Sequence, residues 1–489
     1  MASNWKTTKL LDHYDIRSGL SKPAKDFGSG YPFLTFKDVF YNYFTPDILG
    51  DLVQSNDKER ASSSVKRGDV FLTRTSETMH ELGMSCVALQ DYEHSTFNGF
   101  CKRLRPHKNC ELVPEYVGYY LRSPKFRQSM LAFSTMSTRA SLNNEMIGRL
   151  EISYPSKKEQ LKIAKILKTL DDKVALNRQI NLTLKQMAQA LFQSWFVDFD
   201  LVVDNALDAG FFEQSLALSD ELLCRAEARK AVRENGDFKP LPEAIRQLFP
   251  AAFEECAEPS LGLGSWVPQG WGYKCFGELL SSTIGGDWGK DSQDEKHTIQ
   301  SRIVRGTDIP DLINGQVSNA PLRWVEPKKL KSRQIEAGDI IIEVSGGSPT
   351  QSTGRSIFMT QSMLDRLGGI VEPASFCRRF NPKSFGLGIL ASLHLQAIYS
   401  DGKMWEYQNQ STGIANFQTT FFLEAERVLI PTDEVLEEFL HIVKPLIEKS
   451  QNNEQVVLAK LRDTLLPKLI SGELRLDEIE ADIADEGVA

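Results

Sequence analysis

Two stretches of this 489-residue sequence carry the side chains best suited to chemistry, and that chemistry is recognition rather than reaction. One is Arg74-Thr75, directly after the β-like run Asp69–Thr73, with Arg139 in a later loop. The other is the loop Ser345-Gly346-Gly347-Ser-Pro-Thr-Gln351, followed by Arg355. Arg can bond guanine or phosphate, Gln can pair with adenine, and Gly lets a backbone approach a phosphate closely. The plainer reading is a set of solvated surface loops. Two basic runs, Lys102-Arg103-x-Arg105 and Lys328-Lys329-x-Lys331, are expected to face phosphate or solvent rather than bases.

Groups that could react are not arranged to do so. The seven cysteines (Cys86, Cys101, Cys110, Cys224, Cys256, Cys275, Cys377) are scattered without a C-x-x-C, and the seven histidines form no metal-binding spacing, so no metal is expected. The segment Gly347–Ser356 imitates a phosphate loop but has the wrong spacing and no Lys. Asp171-Asp172 lies in a helical stretch, where a solvated face is the natural reading.

The elements that must position these loops are two rods. From Ile163 the apolar steps reach Leu167, Leu170, Val174, Asn177, Asn181, Leu184, Ala188, Leu191 and Trp195, alternating four and three. That is the seam of a long helix paired with another helix. Pro155, Ser156 and Glu159 supply a stop and a capping box at its start. About forty residues at roughly 1.5 Å each make a rod near 60 Å long. A second seam runs through Leu436, Leu440, Val443, Ile447, Ser450, Glu454, Val457 and Leu461, with Pro431-Thr432 before it and Gly472 after it. Pro445 is expected to kink or break this rod. Both seams carry a polar middle layer, Asn177/Asn181 and Ser450/Glu454, of the kind that sets register. Antiparallel pairing is expected to bring Asn177 opposite the Ser450/Glu454 region. The aromatic cluster Trp195, Phe196 and Phe199 is expected to pack against the segment that follows.

The globular parts look like diverged copies. Trp5 and Gly19 are answered by Trp271 and Gly285, and Gly68-Asp69 by Gly338-Asp339. Ser137-Thr138 and Asn143 are answered by Ser411-Thr412 and Asn416, and Pro155 by Pro431. Four matches in order at nearly one offset, each copy ending in a rod, imply a tandem repeat. The expected organisation is a globular domain over 1–155, a spacer helix over 156–199, and an acidic linker with local helices over 200–265. A second globular domain follows over 266–430, a second spacer helix over 431–472, and an acidic flexible tail over 473–489. The fold class is mixed α/β (α+β), with two long antiparallel helices forming a coiled coil between the domains and an approximate internal two-fold. Duplex DNA has two-folds of the same kind.

The net charge of −8 sits badly with DNA binding until it is located. Residues 200–260 hold thirteen acids against six bases, and 473–489 seven acids against one, so the remainder is net basic. The start MASNWKTT has no signal-peptide core and no apolar run approaches a membrane span, so a cytoplasmic protein with no membrane role is expected.

The stretches 159–200 (EQLKIAKILKTLDDKVALNRQINLTLKQMAQALFQSWFVDFD) and 458–474 (LAKLRDTLLPKLISGEL) resemble the specificity subunit of Type I restriction–modification enzymes. PQGWGYKCFGELL (268–280) is similar to the usual opening of a second target-recognition domain in that family, and IRQLFPAAFEE (245–255) to the usual bridge. The resemblance implies a bipartite, asymmetric duplex DNA site, one half read by each domain. It implies two modification (methyltransferase) subunits docked on the spacers, with restriction (endonuclease/translocase) subunits joining them. It also implies no catalysis in this chain, with S-adenosylmethionine, ATP and Mg in the partner subunits. No Asn/Asp-Pro-Pro-Tyr/Phe motif for gripping an adenine amino group occurs; Asn381-Pro382-Lys383 is not one. A recognition subunit of another bipartite-site methyltransferase or nuclease system, and a structural coiled-coil adaptor, are the alternatives.

Overall fold

The computed structural model describes residues 5–76, 81–132, 140–236, 238–256, 265–346, 348, 350–411 and 414–474. Helices and strands are mixed throughout, and the chain divides into two compact units. The first comprises Met1–Val174 with Val457–Ala489, and the second Ala175–Val456. Arg139 and most of the tail lie outside the described residues.

The repeat is explicit in the strand orders. In the first unit a four-stranded sheet runs Tyr14–Ser18, Cys101–Pro106, Val70–Thr73, Ser85–Val87. In the second the order is Leu280–Gly285, Cys377–Pro382, Ile340–Glu343, Ser356–Phe358. The central strands Val70–Thr73 and Ile340–Glu343 are buried at every residue, hence their unbroken apolar runs. A three-stranded sheet with one antiparallel and one parallel pairing follows the same plan in each unit. So does a two-stranded pairing that joins the start of each globular part to its last strand.

The two Gly-Asp pairs now have a physical reason. Gly68 and Gly338 take positive φ (86° and 101°), closing a turn that drops the next Asp into the sheet. Asp69 accepts from the Lys66 backbone N–H at 2.8 Å and from Arg105 at 2.6 and 2.8 Å. Asp339 accepts from the Glu336 backbone N–H at 2.7 Å, Arg379 at 2.7 Å and Asn381 at 2.8 Å. Both carboxylates are fully buried. Arg103 is buried too and donates to the Ser64 carbonyl at 2.7 Å. The run Lys102-Arg103-x-Arg105 therefore mostly braces the sheet, contrary to the expectation that it faces phosphate or solvent.

The first rod is one helix, Lys157–Phe192, opened by the Ser156/Glu159 box and continued by a π-helical turn, Gln193–Val197. Its seam is as expected. Ile163, Leu167, Val174, Asn181, Ala188 and Trp195 are buried, while Leu170, Asn177, Leu184 and Leu191 are half-buried. In the first unit Ile163 and Leu167 share a core with Leu466, Leu469 and Ile470, and Arg462 donates to Asp171 at 2.5 Å. In the second unit Trp195 and Phe196 pack on Phe439, with ring centroids 5.5 and 4.7 Å apart. Lys185 and Ala188 share a wall with Ile447 and Ser450. The two sets run in opposite senses, so the rods are antiparallel within the second unit.

The second rod departs from expectation. It is two helices, Asp433–Ser450 and Glu454–Ser471, and the break is at Gln451–Asn453 rather than at Pro445, which the first helix accommodates. Arg366 supplies the reason. It donates to the Gln451 carbonyl, an acceptor that a continuing helix would have used, and to the Asn453 side-chain Oδ1, both at 2.9 Å. Gln451 and Gln455 then donate to the carbonyls of Ile313 and of Asn314 and Gly315, and Lys185 to that of Ile313. Burial, and Arg366 after it, push the Lys185 amine down to about 8. Past the break Glu454, Val457 and Leu461 are exposed, and Gln455, Leu466 and Leu469 are buried. Leu436 and Leu440 are half-buried beside the more deeply buried Val435, Phe439 and Val443. The residue of the first rod that shares a wall with Ser450 is Lys185, two turns beyond Asn177.

Asn181 is buried, and neither its Oδ1 nor its Nδ2 has a hydrogen-bond partner among the described residues. Asn177 is half-buried and engaged. Asn181→Leu is expected to stabilise the chain by about 1–3 kcal/mol, the cost of an unsatisfied buried amide. Denaturant unfolding measures it, and a clear loss of stability would show that Asn181 is satisfied by a group that Leu cannot replace.

The acidic bridge is packed. It forms helices Asp200–Asp208 and Asp220–Arg233, and Val202, Phe211, Leu222, Phe249 and Phe253 join the core of the second unit. Its acids pair internally: Arg229 with Asp204 at 2.8 and 2.9 Å, and Arg233 and Arg246 with Asp208. Those two guanidiniums, Arg233 foremost, hold the Asp208 carboxyl below its ordinary range. Trp195 meets Phe249, and Phe199 meets Phe253, both edge to face, as the cluster's composition suggested.

Candidate nucleic-acid interface

In the first unit Arg74 sits between two backbone anchors. Its N–H donates to the Phe100 carbonyl and its carbonyl accepts from the Leu142 N–H, both at 2.8 Å. This sets Thr75-Ser76 as a short strand against Ala140-Ser141, with Thr75 opposite Ser141. The Arg74 side chain is half-exposed and enters no ion pair among the described residues. Lys102 lies near it and donates to Ser18 Oγ at 2.9 Å; burial and then Arg74 lower its ammonium below the ordinary lysine value. Arg17, on the strand beside it, is exposed.

The second unit repeats these anchors with different side chains. The Val344 N–H donates to the Phe376 carbonyl at 2.9 Å, and its carbonyl accepts from the Phe417 N–H at 2.9 Å. Ser345 stands opposite Asn416 and Gly346 opposite Ala415, with Ser345 Oγ 2.8 Å from Asn416 Oδ1. The equivalences are therefore Arg74 with Val344, Thr75 with Ser345 and Ser141 with Asn416. The sequence match of Asn143 to Asn416 is two residues out. Asn143 instead caps the helix Asn144–Gly148, the place held by Gln418 before Thr419–Ala425.

Gln351 and Arg355 are turned inward. Arg355 makes a two-pronged pair with the buried Glu343, both bonds 2.9 Å, which raises its guanidinium pKa further. With the Gln351 amide oriented so that its oxygen faces Arg355, it accepts from Nε at 2.9 Å and Nη1 at 3.1 Å. A Cβ on Gly346 would come within 2.7 Å of Glu343 Oε1, so the strand lies directly on that pair. Gln351 and Arg355 thus bond inward, while Asn416 is exposed and Ser345 and Gly346 are half-buried beside it; Gly347 lies outside the described residues. The sequence reading did not single out Asn416, Phe100, Phe376 or Arg378 as candidates, and it placed Lys102 only in a basic run. A signal for the Phe and Arg378 exists in the shared pattern Phe100-Cys-Lys-Arg103 and Phe376-Cys-Arg-Arg379.

Residues 2–186 match the family model for the Type I restriction modification DNA specificity domain. The Type I restriction enzyme HindI specificity subunit of Haemophilus influenzae is 26% identical over 496 residues, covering 96% of this chain and 100% of that one. The MjaIX specificity subunit of Methanocaldococcus jannaschii is 22% identical over 485 residues, covering 97% and 95%. Over nearly its whole length the chain is thus similar to specificity subunits of Type I restriction enzymes, and residues 2–186 match their DNA specificity domain. A solved S subunit of a Type I restriction–modification system from M. genitalium, 13% identical, has the same fold at a TM-score of 0.51 over 95% of this chain and 96% of that one. The strands at Thr75 and Ser345 occupy equivalent places in the two repeats.

Proposed function

We propose that the chain reads a bipartite, asymmetric DNA site and carries methyltransferase and restriction subunits, contributing no catalytic group of its own. The observation that carries this is a single backbone plan with different side chains at its outer edge: Arg74, Thr75 and Ser141 in one copy, Val344, Ser345 and Asn416 in the other. Equal frames with unequal edges read unequal half-sites, because phosphate contacts position a domain and edge contacts specify. Docking of partner subunits is supported by apolar side chains left in solvent on the rods. Leu176, Ile180 and Met187 form a stripe on one face of the first rod, and Val457 and Leu461 lie on the last helix. In this reading S-adenosylmethionine, ATP and Mg2+ are bound by the partners. Among the described residues no helix is long and apolar enough to cross a membrane.

Mapping N6-methyladenine genome-wide in cells that express the chain with its methyltransferase subunit tests the proposal. The expected result is one asymmetric motif of two unlike halves at a constant gap, with no methylation by the chain alone. A single undivided motif, or methyl transfer by the isolated chain, would overturn it.

A further inference from the structure

Phe100 and Phe376 are large apolar side chains left 60% and 64% exposed at the same position of the two repeats. Each is the third residue of a tight turn, closed by Cys101 N–H to Asn98 carbonyl at 2.9 Å and by Cys377 N–H to Ala374 carbonyl at 2.8 Å. Each turn is locked by three further equivalent backbone bonds. In the first unit these are Gly19 to Cys101 (3.3 Å), Leu20 to Phe97 (2.8 Å) and Arg74 to Phe100 (2.8 Å). In the second they are Gly286 to Cys377 (3.0 Å), Asp287 to Pro373 (3.0 Å) and Val344 to Phe376 (2.9 Å). A Cβ on Gly19 or Gly286 would lie about 2 Å from a turn carbonyl, so the neighbouring strand clasps the turn at glycine contact.

Single exposed apolar residues are ordinary on protein surfaces. A rigidly mounted one, repeated while its surroundings diverge from Arg74 to Val344, calls for a shared task. The neighbours indicate its medium: Lys102 and Arg378 follow two residues after each ring, and Arg17 and Arg74 add charge in the first unit. A fixed aromatic ring beside cations whose remaining donors could meet phosphates is the arrangement of a wedge entering a base stack, with Lys102 held by Ser18 and Arg378 by Thr283.

We propose that Phe100 and Phe376 each insert into the duplex at one base step of their half-site, unstacking it beside the bases read by the neighbouring strand. This deepens the DNA-reading function proposed above and rests on it. Each half-site should then favour a deformable step, such as a pyrimidine–purine step, at a fixed place.

The test uses the complex of the full chain with its methyltransferase subunits. The probe is a duplex carrying the motif found by methylation mapping, with 2-aminopurine placed in turn at each position. Binding is expected to brighten one position per half-site besides the adenine to be methylated. Phe100→Ala should abolish this signal in one half-site and Phe376→Ala in the other. Each should weaken binding about tenfold or more, the worth of one base–aromatic stack. The salt dependence should persist because the phosphate contacts remain. Phe→Leu at either position should retain part of the effect, separating a wedge from a fold defect. Affinity and fluorescence that survive both alanine variants overturn the wedge while leaving DNA reading intact. Loss of subunit assembly with unchanged DNA binding would make the rings partner contacts and overturn it as well. Failure of the wild-type complex to bind the motif would instead overturn DNA reading itself, and the wedge with it.

Discussion

A chain cut after residue 200 and supplied with the methyltransferase subunit is expected to methylate a palindrome built from the half-site read by the first domain. The first unit cannot stand on those residues alone. Its core takes in Leu466, Leu469 and Ile470 from the last helix, and Asp171 takes Arg462. Burying each aliphatic side chain contributes about 1.5–3 kcal/mol. A monomeric fragment would therefore lose a share comparable to the whole stability of a domain. A second copy can replace what is missing, because Ala188, Phe192 and Trp195 near the end of the first rod fill the matching role in the core of the second unit. The fragment should thus be a homodimer whose first rods pair, with little change in gap length because the rod sets it. Sequencing of methylated sites and sedimentation of the fragment measure both points. Methylation of the original asymmetric motif, or a stable monomer, would contradict the repeat as the unit of recognition.

Replacing Asp339 by Ala is expected to cost about 3–5 kcal/mol and to abolish recognition of the second half-site, because it strands a charged partner in the interior. Arg379 has only 11% of its side chain exposed, and Asn381 and the Glu336 N–H would lose their acceptor along with it. Asp69→Ala should cost less, since Arg105 is 28% exposed and can recover water. Urea unfolding of the two variants, with methylation mapping, orders them. Equal costs, or a loss below about 1 kcal/mol for Asp339→Ala, would mean that the brace is replaceable.

Periodicity and local chemistry determined much of this protein from sequence alone. The four–three seam from Ile163 to Trp195 specified the first rod and its buried face because helix geometry is local and repeats every few residues. Ser156 with Glu159 marked its start through bonds spanning three residues. The Gly-Asp pairs and the closing prolines exposed the repeat, since each is demanded by a turn within a few positions of itself. What only the tertiary structure decided depends on distant partners. Arg355 reads as a free contact until Glu343, twelve residues earlier, turns it inward. The break at Gln451–Asn453 is held by Arg366, 85 residues away in sequence from Gln451. The Asp69–Arg105 brace spans 36 residues and Asp339–Arg379 spans 40, so the Lys102-Arg103-x-Arg105 run serves mostly as internal struts, while Lys328, Lys329 and Lys331 stay exposed. The edges proposed for recognition are set last, by which backbone groups the long-range sheet leaves outermost, and no local pattern encodes that choice.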